Sequence, residues 1–457
     1  MSPSSILQTL DPLTLARSSG EMTLNDTIGW SFDLLTEPEQ QLMVRLGVFP
    51  TGANFDQIIE VCQPLSDLGI DPINGIGSLV EHSLLVGDDT SGPPRFRMLE
   101  TIREFSVRKL RESGDEATIR HRHMQSYAEL LEEAHPNLEG PDSAEWMQIL
   151  GRENANLQAA FAYAVETNNA DIAQRVVSAA WRFWQSRGHL VEGKDAATRA
   201  LALEGGSGPV RAAALDAAGS IAYWTGDSVA CRSFYEQAVE IRRKGDDKKS
   251  LLNALYNLSF PVSDEDGLEA ATTILDEALV LAEEIGDERM LGMIFTALSR
   301  TWLDASPEDS HRYAGKAIQA GENIGDPIFV AWATSLLAGT EHVMGDPALA
   351  AASLQKGLRT FHEHGDLSGI AVDITGLADI ARQVGDDSSA LYFVGVVTLI
   401  REDSGIGIQT ALDSTLMEFS TPESIAALSP DLAAAYKSGR SEPPNAAVAR
   451  ALEWEPA

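Results

Sequence analysis

Apolar residues in the first hundred positions fall into helical spacing, break once into a short extended run, and then return to helical spacing for the rest of the chain. The pattern predicts helices over 23–35, 37–49, 54–62 and 73–82, the second opened by Thr36-Glu37-Pro38-Glu39. Thr suits a helix cap and Pro suits a helix's first turn. The period then changes. Ser83-Leu84-Leu85-Val86 reads as a strand, 87–94 as a turn, and Arg95-Phe96-Arg97-Met98 as the antiparallel partner. A helix over 99–112 follows, carrying Ile102, Phe105, Val107 and Leu110 on its apolar face.

Helices followed by one small hairpin make a winged-helix plan over 22–113. Beyond it the spacing is helical throughout: 115–134, then two helices within 144–166 after a break at 136–141, then 171–186 paired with 191–203. From there a Gly-Asp pair recurs at Gly226-Asp227, Gly245-Asp246, Gly286-Asp287, Gly325-Asp326, Gly345-Asp346, Gly365-Asp366 and Gly385-Asp386. The gaps are close to twenty residues or a multiple of it, one helix plus one turn, with Gly ending a helix and Asp capping the next. Small or compact residues also recur at Ala200, Ala238, Ala278, Ala317, Gly357 and Val397, every 38 to 40 residues. A small residue at the same helical position lets neighbouring hairpins approach closely. This is a tetratricopeptide-like pattern lengthened from its usual 34 residues to about 40. The repeats near Asp264 and Pro307 lack their middle Gly-Asp pair.

The fold class expected is therefore mainly α, a small winged-helix domain followed by an α-solenoid of helical hairpins. Residues 1–21 read as a flexible leader or the remnant of an upstream domain, 22–113 as the winged helix, and 114–170 as linking helices. Residues 171–403 form the superhelix and 404–457 a helical tail, with helices within 420–436 and 445–452.

Charge narrows the function. The formal net charge is −34, which repels phosphate and anionic membrane surfaces. Two distant cysteines, Cys62 and Cys231, supply neither a disulfide framework nor a paired metal or redox site. With no apolar run long enough for a span and no leader signature, a cytoplasmic protein without membrane attachment is expected.

Candidate chemistry is sparse. Gly188-His189-Leu190-Val191-Glu192-Gly193-Lys194-Asp195 approaches a phosphate-binding loop, but Asp195 stands where the Mg²⁺-binding hydroxyl belongs, and Gly188 falls on a repeat turn. Between Arg45 and Arg95 there is no Lys or Arg, so the candidate recognition helix at 73–82 lacks the side chains that anchor phosphate or read guanine. Arg103, Arg108, Lys109, Arg111, Arg120 and Arg122 interleave with acids as on a solvated face. His121 with His123, and His362 with His364, are spaced i, i+2 and face different sides of a helix, unlike zinc pairs. No catalytic motif, cofactor site or metal site is expected.

Trp181, Trp184, Tyr223, Trp224, Tyr256, Phe260, Trp302 and Trp332 lie mostly on the first helices of hairpins, which line the concave face of a superhelix. Repeat position selects Asp216, Ser220, Tyr223, Asn253, Tyr256, Ser335, His342, Asp379 and Arg382 as the partner-binding groove.

Three segments carry a family resemblance: Asp26-Thr27-Ile28-Gly29-Trp30-Ser31-Phe32-Asp33-Leu34-Leu35, Leu46-Gly47-Val48-Phe49, and 95–105 from Arg95 to Phe105. With Trp181-Arg182-Phe183-Trp184 and the tail around Tyr436 and Arg440, they resemble the winged-helix and tetratricopeptide arm of bacterial STAND-class (NB-ARC-like) signalling ATPases, the LuxR-family or cyclase-linked transcriptional regulators. The resemblance implies an arm downstream of a nucleotide switch that this sequence does not include. Related switches sense ADP through a Met-His-Asp-like motif. Here Met98, Leu99 and Glu100 stand in its place, and Leu99 cannot donate to phosphate, leaving Glu100 to cap the next helix. The expected function is a non-enzymatic interaction and signal-sensing module that binds a protein or peptide, with a separate ATPase or regulator chain as a further partner. The alternatives are a split ATP-dependent regulator whose nucleotide domain is encoded upstream, and a DNA-binding winged-helix regulator.

Overall fold

A computed structural model describes residues 24–62, 69–88, 94–138, 142–407, 413–419 and 421–456. The leader expected over 1–21 lies outside the described residues. Two compact units divide the chain, one built from the described parts of 1–129 with 153–163, the other from 130–152 with 164–457.

The first unit contains α1 (Leu24–Asp33), α2 (Glu37–Leu46), β1 (Ala53–Asn54), α3 (Phe55–Cys62), α4 (Pro72–Glu81), β2 (Val86–Asp88), β3 (Arg95–Arg97) and α5 (Glu100–Ser113). Glu39 accepts from both Thr36 N and Thr36 Oγ1 at 2.8 Å, so the start signal works as expected. Leu42, Met43, Ile58, Val61 and Leu79 are wholly buried and form the core. The helix α2 ends at Gly47, where an added Cβ would lie 2.8 Å from Ser106 Cβ of α5, so the absence of a side chain allows this contact.

The hairpin differs from its expected register. Ser83 adopts a left-handed φ of 57°, and Leu84 N and Leu85 N both bond back to Leu79 O, at 2.9 and 3.2 Å. Leu84 and Leu85 thus finish the helix and enter the core, and the strand begins only at Val86. A third strand completes an antiparallel sheet in the order β1-β3-β2, with Phe96 opposite both Ala53 and Gly87. Two residues were too short a run to read as a strand. Glu100 does not cap α5 either. It is the helix's first residue and pairs with Arg103 at 2.7 Å.

Two long helices follow, α6 (Glu116–Ala134) and α7 (Ser143–Glu166). The latter is continuous where the sequence suggested two helices; Gly151 has open space around it and does not interrupt the helix.

The second unit carries six helical hairpins: α8 (Ala170–Arg187) with α9 (Leu190–Ala202), α10 (Gly208–Trp224) with α11 (Ser228–Arg242), α12 (Lys248–Glu265) with α13 (Leu268–Ile285), α14 (Glu288–Trp302) with α15 (Pro307–Ile324), α16 (Pro327–Val343) with α17 (Pro347–His364), and α18 (Leu367–Gln383) with α19 (Asp387–Ser404). Six ladder aspartates cap as expected: Asp227, Asp287, Asp326, Asp346, Asp366 and Asp386 each accept from the backbone N–H three residues on. The pair Gly245-Asp246 is an exception, because Asp247 makes that cap instead, at 3.1 Å from Ser250 N. In the two repeats without a middle pair, Gly267 takes the positive φ and Ser306 supplies the cap. The recurring small positions Ala200, Ala238, Ala278 and Ala317 are fully buried between helices.

The tail forms α20 (Ser414–Glu418), α21 (Pro422–Ala426), α22 (Pro430–Ser441) and α23 (Pro444–Glu453). It packs on the last hairpins rather than trailing away. Gln355 Nε2 donates to Ala451 O at 3.0 Å and Trp454 Nε1 donates to Asp386 Oδ2 at 3.0 Å.

Candidate functional site

The first helices of the hairpins, joined at one end by Phe361 of a second helix, carry a continuous run of rings. Tyr256 and Phe260 lie one turn apart on α12, edge to face at 5.1 Å; Phe260 meets Tyr223 of α10 at 5.5 Å. Tyr223 stands perpendicular to its neighbour Trp224, which meets Trp332 of α16 at 5.4 Å, and Trp332 meets Phe361 of α17 at 4.7 Å. Each such pair is worth about 0.5–1.5 kcal/mol beyond the area it buries. Tyr223, Tyr256 and Phe260 remain partly open at one end of the run, resting on a buried aliphatic layer that includes Leu252, Leu255 and Ala297. A cation sits over that end. Arg300 Cζ is 5.5 Å from the Phe260 ring centre, and its Nη2 donates to Phe260 O at 3.2 Å and Asp264 Oδ1 at 2.7 Å. An amphipathic peptide would find apolar faces, a guanidinium and carboxylates here.

The predicted groove residues separate into three sets. Tyr223, Asn253 and Tyr256 are half-buried on α10 and α12 and belong to the open end. Asp216 and Ser220 are spent internally. Asp216 pairs with Arg242, both side chains being under 15% exposed, and burial lifts its carboxyl to about 6; Ser220 Oγ is 3.0 Å from the buried Tyr235 hydroxyl. Ser335, His342, Asp379 and Arg382 form the third set, on α16 and α18. Ser335 Oγ donates to Asp373 Oδ1 at 2.6 Å. Asp379 Oδ1 accepts from Thr415 N and Thr415 Oγ1, each at 2.9 Å, and from Ser414 Oγ, which fastens α20 to the array. His342 Nε2 is 3.7 Å from Asp379 Oδ2, and burial lowers its affinity for a proton. Ser414 and His342 thus meet the same carboxylate at different oxygens. Arg382 is exposed and pairs with Asp387 at 2.5 Å.

Sequence reasoning did not pick out Arg300. Its signal was available, because Arg300 lies 40 residues after Phe260, one repeat on, and therefore on the adjacent first helix.

The phosphate-loop resemblance dissolves. Gly188 has φ 76° and ends α8, Lys194 lies within α9 and reaches Asp227 at 3.1 Å, and Asp195 pairs with Arg199. Among the described residues no group of three His, Cys, Asp or Glu could hold a metal ion, and no helix is long and apolar enough to cross a membrane.

In the first unit, α4 occupies the recognition-helix position of the winged-helix plan. Asp71 caps it, its Oδ1 accepting from Asn74 N at 3.1 Å, so a carboxylate occupies the end of the helix that otherwise attracts phosphate. Ile73 is 66% exposed and Val80 38%. The basic segment of α5 pairs with acids, as in Lys109 with Glu112 at 2.9 Å and Arg111 with Glu116 at 3.2 Å.

The winged-helix plan of the first unit has a match among known proteins. Residues 35–111 match the family described as "Winged helix-turn-helix domain". A Mycobacterium tuberculosis protein named as a candidate HTH-type transcriptional regulator is 31% identical over 352 residues, covering 71% of this chain and 38% of its own length. A Mycobacterium bovis protein of the same description matches equally. The chain thus spans well under half the length of these relatives. Among solved structures, a STAND protein with a tetratricopeptide repeat sensor from Pyrococcus horikoshii aligns with 99% of this chain and 69% of its own, at 14% identity and TM-score 0.46. Aspartyl phosphate phosphatase F from Bacillus subtilis aligns with 86% of this chain and 98% of its own, at 10% identity and TM-score 0.49. The chain carries a winged helix-turn-helix domain followed by a tetratricopeptide-like helical array, and it is homologous to these candidate HTH-type transcriptional regulators.

Proposed function

We propose that this protein is a non-enzymatic interaction and signal-sensing module of a transcriptional regulator, and that it binds a protein or peptide on the inner face of the repeat array. The observation that carries this reading is the half-open aromatic end formed by Tyr223, Tyr256 and Phe260, bordered by Arg300 and Asp264. Aromatic side chains on a rigid helical scaffold supply binding energy at little entropic cost, and the surplus of acids favours a partner with basic residues. The relatives' description as HTH-type regulators supports a role in gene control.

Affinity capture with the full chain, repeated with Tyr223→Ala and Tyr256→Ala, tests the reading. Truncating an aromatic anchor costs about 2 kcal/mol or more, roughly a thirty-fold weakening. Partners captured undiminished by both variants would contradict it.

A second reading, DNA binding by the winged helix, is favoured by the family match over 35–111. It weighs less, because α4 lacks basic residues and its N-terminus is already capped by Asp71. Fluorescence anisotropy of a duplex with the full chain at low salt decides between them. Saturable, sequence-dependent binding would establish the DNA reading.

A further inference from the structure

Hairpins adjacent in sequence pack through apolar and small side chains such as Ala238, Leu255, Ala278 and Ala317. One junction is different. The first and sixth hairpins, about 180 residues apart, also meet. Ser368 Oγ donates to Gln185 O at 2.8 Å, Arg187 Nη1 to Gly365 O at 3.3 Å, and Ser186 Oγ to Asp366 Oδ2 at 3.4 Å. Arg182 Nη2 lies 3.5 Å from the same Asp366 oxygen, the two side chains being 8% and 4% exposed. The backbones are close enough that a Cβ on Gly188 would lie 2.9 Å from Ser404 Cβ and 3.0 Å from Leu367 Cδ1. A second strap lies beside it, where Gly407 N donates to Trp224 O at 2.7 Å.

This junction is polar, and it is incompletely satisfied, since the buried Gln185 Nε2 has no acceptor. Exchanging such a network for water costs far less than separating two apolar faces, because a buried ion pair contributes little net stability once its desolvation is counted. Through Trp224 and Trp332, the second hairpin also touches the fifth.

We propose that the α8–α18 junction is a latch, which keeps the repeat array closed on itself and opens to admit a polypeptide partner to the inner aromatic face. The partner rests on the function proposed above; the latch itself does not. Asp366 is its centre, because one carboxylate oxygen caps α18 at Gly369 N, 3.1 Å, while the other faces Arg182 and Ser186. Asp366→Asn keeps a cap of equal quality and removes the charge. Asp346→Asn makes the same change at a ladder cap outside the junction.

The test uses the full chain without any partner, spin-labelled at Thr198→Cys on α9 and Lys356→Cys on α17, both exposed positions. Native Cys62 and Cys231 are buried, with thiols pushed up to about 12, and stay unlabelled. A single narrow distance is expected for the otherwise unchanged chain and for Asp346→Asn. A second, longer population is expected for Asp366→Asn. Ser368→Ala, which disturbs no cap, should give the same longer population and carries the test if Asp366→Asn does not fold. Unchanged distances in Asp366→Asn and Ser368→Ala, or an equal change in Asp346→Asn, would overturn the latch while leaving the aromatic-face reading intact.

Discussion

Arg95, the first Lys or Arg after Arg45, is held by Glu153. Glu153 is buried, at 3% exposed, and Arg95 is largely covered, at 17%. Glu153 also accepts from Tyr127 Oη at 3.1 Å and Asn156 Nδ2 at 2.8 Å, while Arg95 Nη2 and Asn156 Nδ2 both donate to Gly52 O at 3.0 Å. The wing strand β3 is thereby tied to α7, and the guanidinium that a DNA-binding wing would offer to phosphate is spent inside the unit. Removing one partner strands the rest. Glu153→Ala should cost about 3–5 kcal/mol, and Glu153→Gln distinctly less, in urea unfolding followed by a probe in the first unit.

His123 gives the same unit a pH dependence. It packs against Phe49 at 5.4 Å and Tyr127 at 4.5 Å, and burial lowers its pKa from 6.5 to about 4, only partly opposed by its bond to Asn156. Unfolding releases it to its ordinary value, so the unfolded chain binds the extra proton between those limits. Stability is therefore complete above pH 6.5 and falls as the pH drops towards 4, by about 3 kcal/mol at most from this group. His123→Phe should flatten the dependence in denaturation measured across that window.

Helix α22 covers the last hairpin through two glycines. A Cβ on Gly395 would strike Tyr436 O, and one on Gly439 would strike Tyr392 O, so each helix meets the other's backbone. Backbone yields less readily than a side-chain tip. Gly439→Ala and Gly395→Ala should each lower stability by about 1–3 kcal/mol or more, read as a fall in Tm, with the tail's amides losing hydrogen-exchange protection first.

Lys194 tests the phosphate-loop resemblance. Its ammonium serves an exposed pair with Asp227, worth less than about 1 kcal/mol. Mg-ATP should leave the Tm of the full chain unchanged, and Lys194→Ala should shift it by no more than a degree or two. An ATP-dependent rise lost in Lys194→Ala would reinstate the nucleotide site.

What the sequence disclosed was mostly local. The Gly-Asp ladder announced its turns because a left-handed glycine and an aspartate cap act within a few residues, and it slipped only where Asp247 outcompeted Asp246 for the cap. The hairpin around Ser83 was misplaced because Leu84 and Leu85, β-like in composition, were wanted by the core at the end of α4. Repeat register put Tyr223 and Tyr256 on first helices, where they are half-buried, but could not tell that Asp216 had Arg242 as an internal partner. The meeting of Arg182 with Asp366 was beyond reach altogether. It depends on how far each hairpin rotates on the last, a small angle summed over the array, and no single repeat encodes it.

The proposed polypeptide site is the open aromatic end of the array. Photo-crosslinking from a benzoylphenylalanine placed at Tyr256 tests it most directly, with the same probe at the exposed Glu240 and at Ile73 of α4 as comparisons. Adducts with a captured partner from position 256, and none from 240 or 73, are the predicted result. Adducts from position 73 or 240 with none from 256 would contradict it.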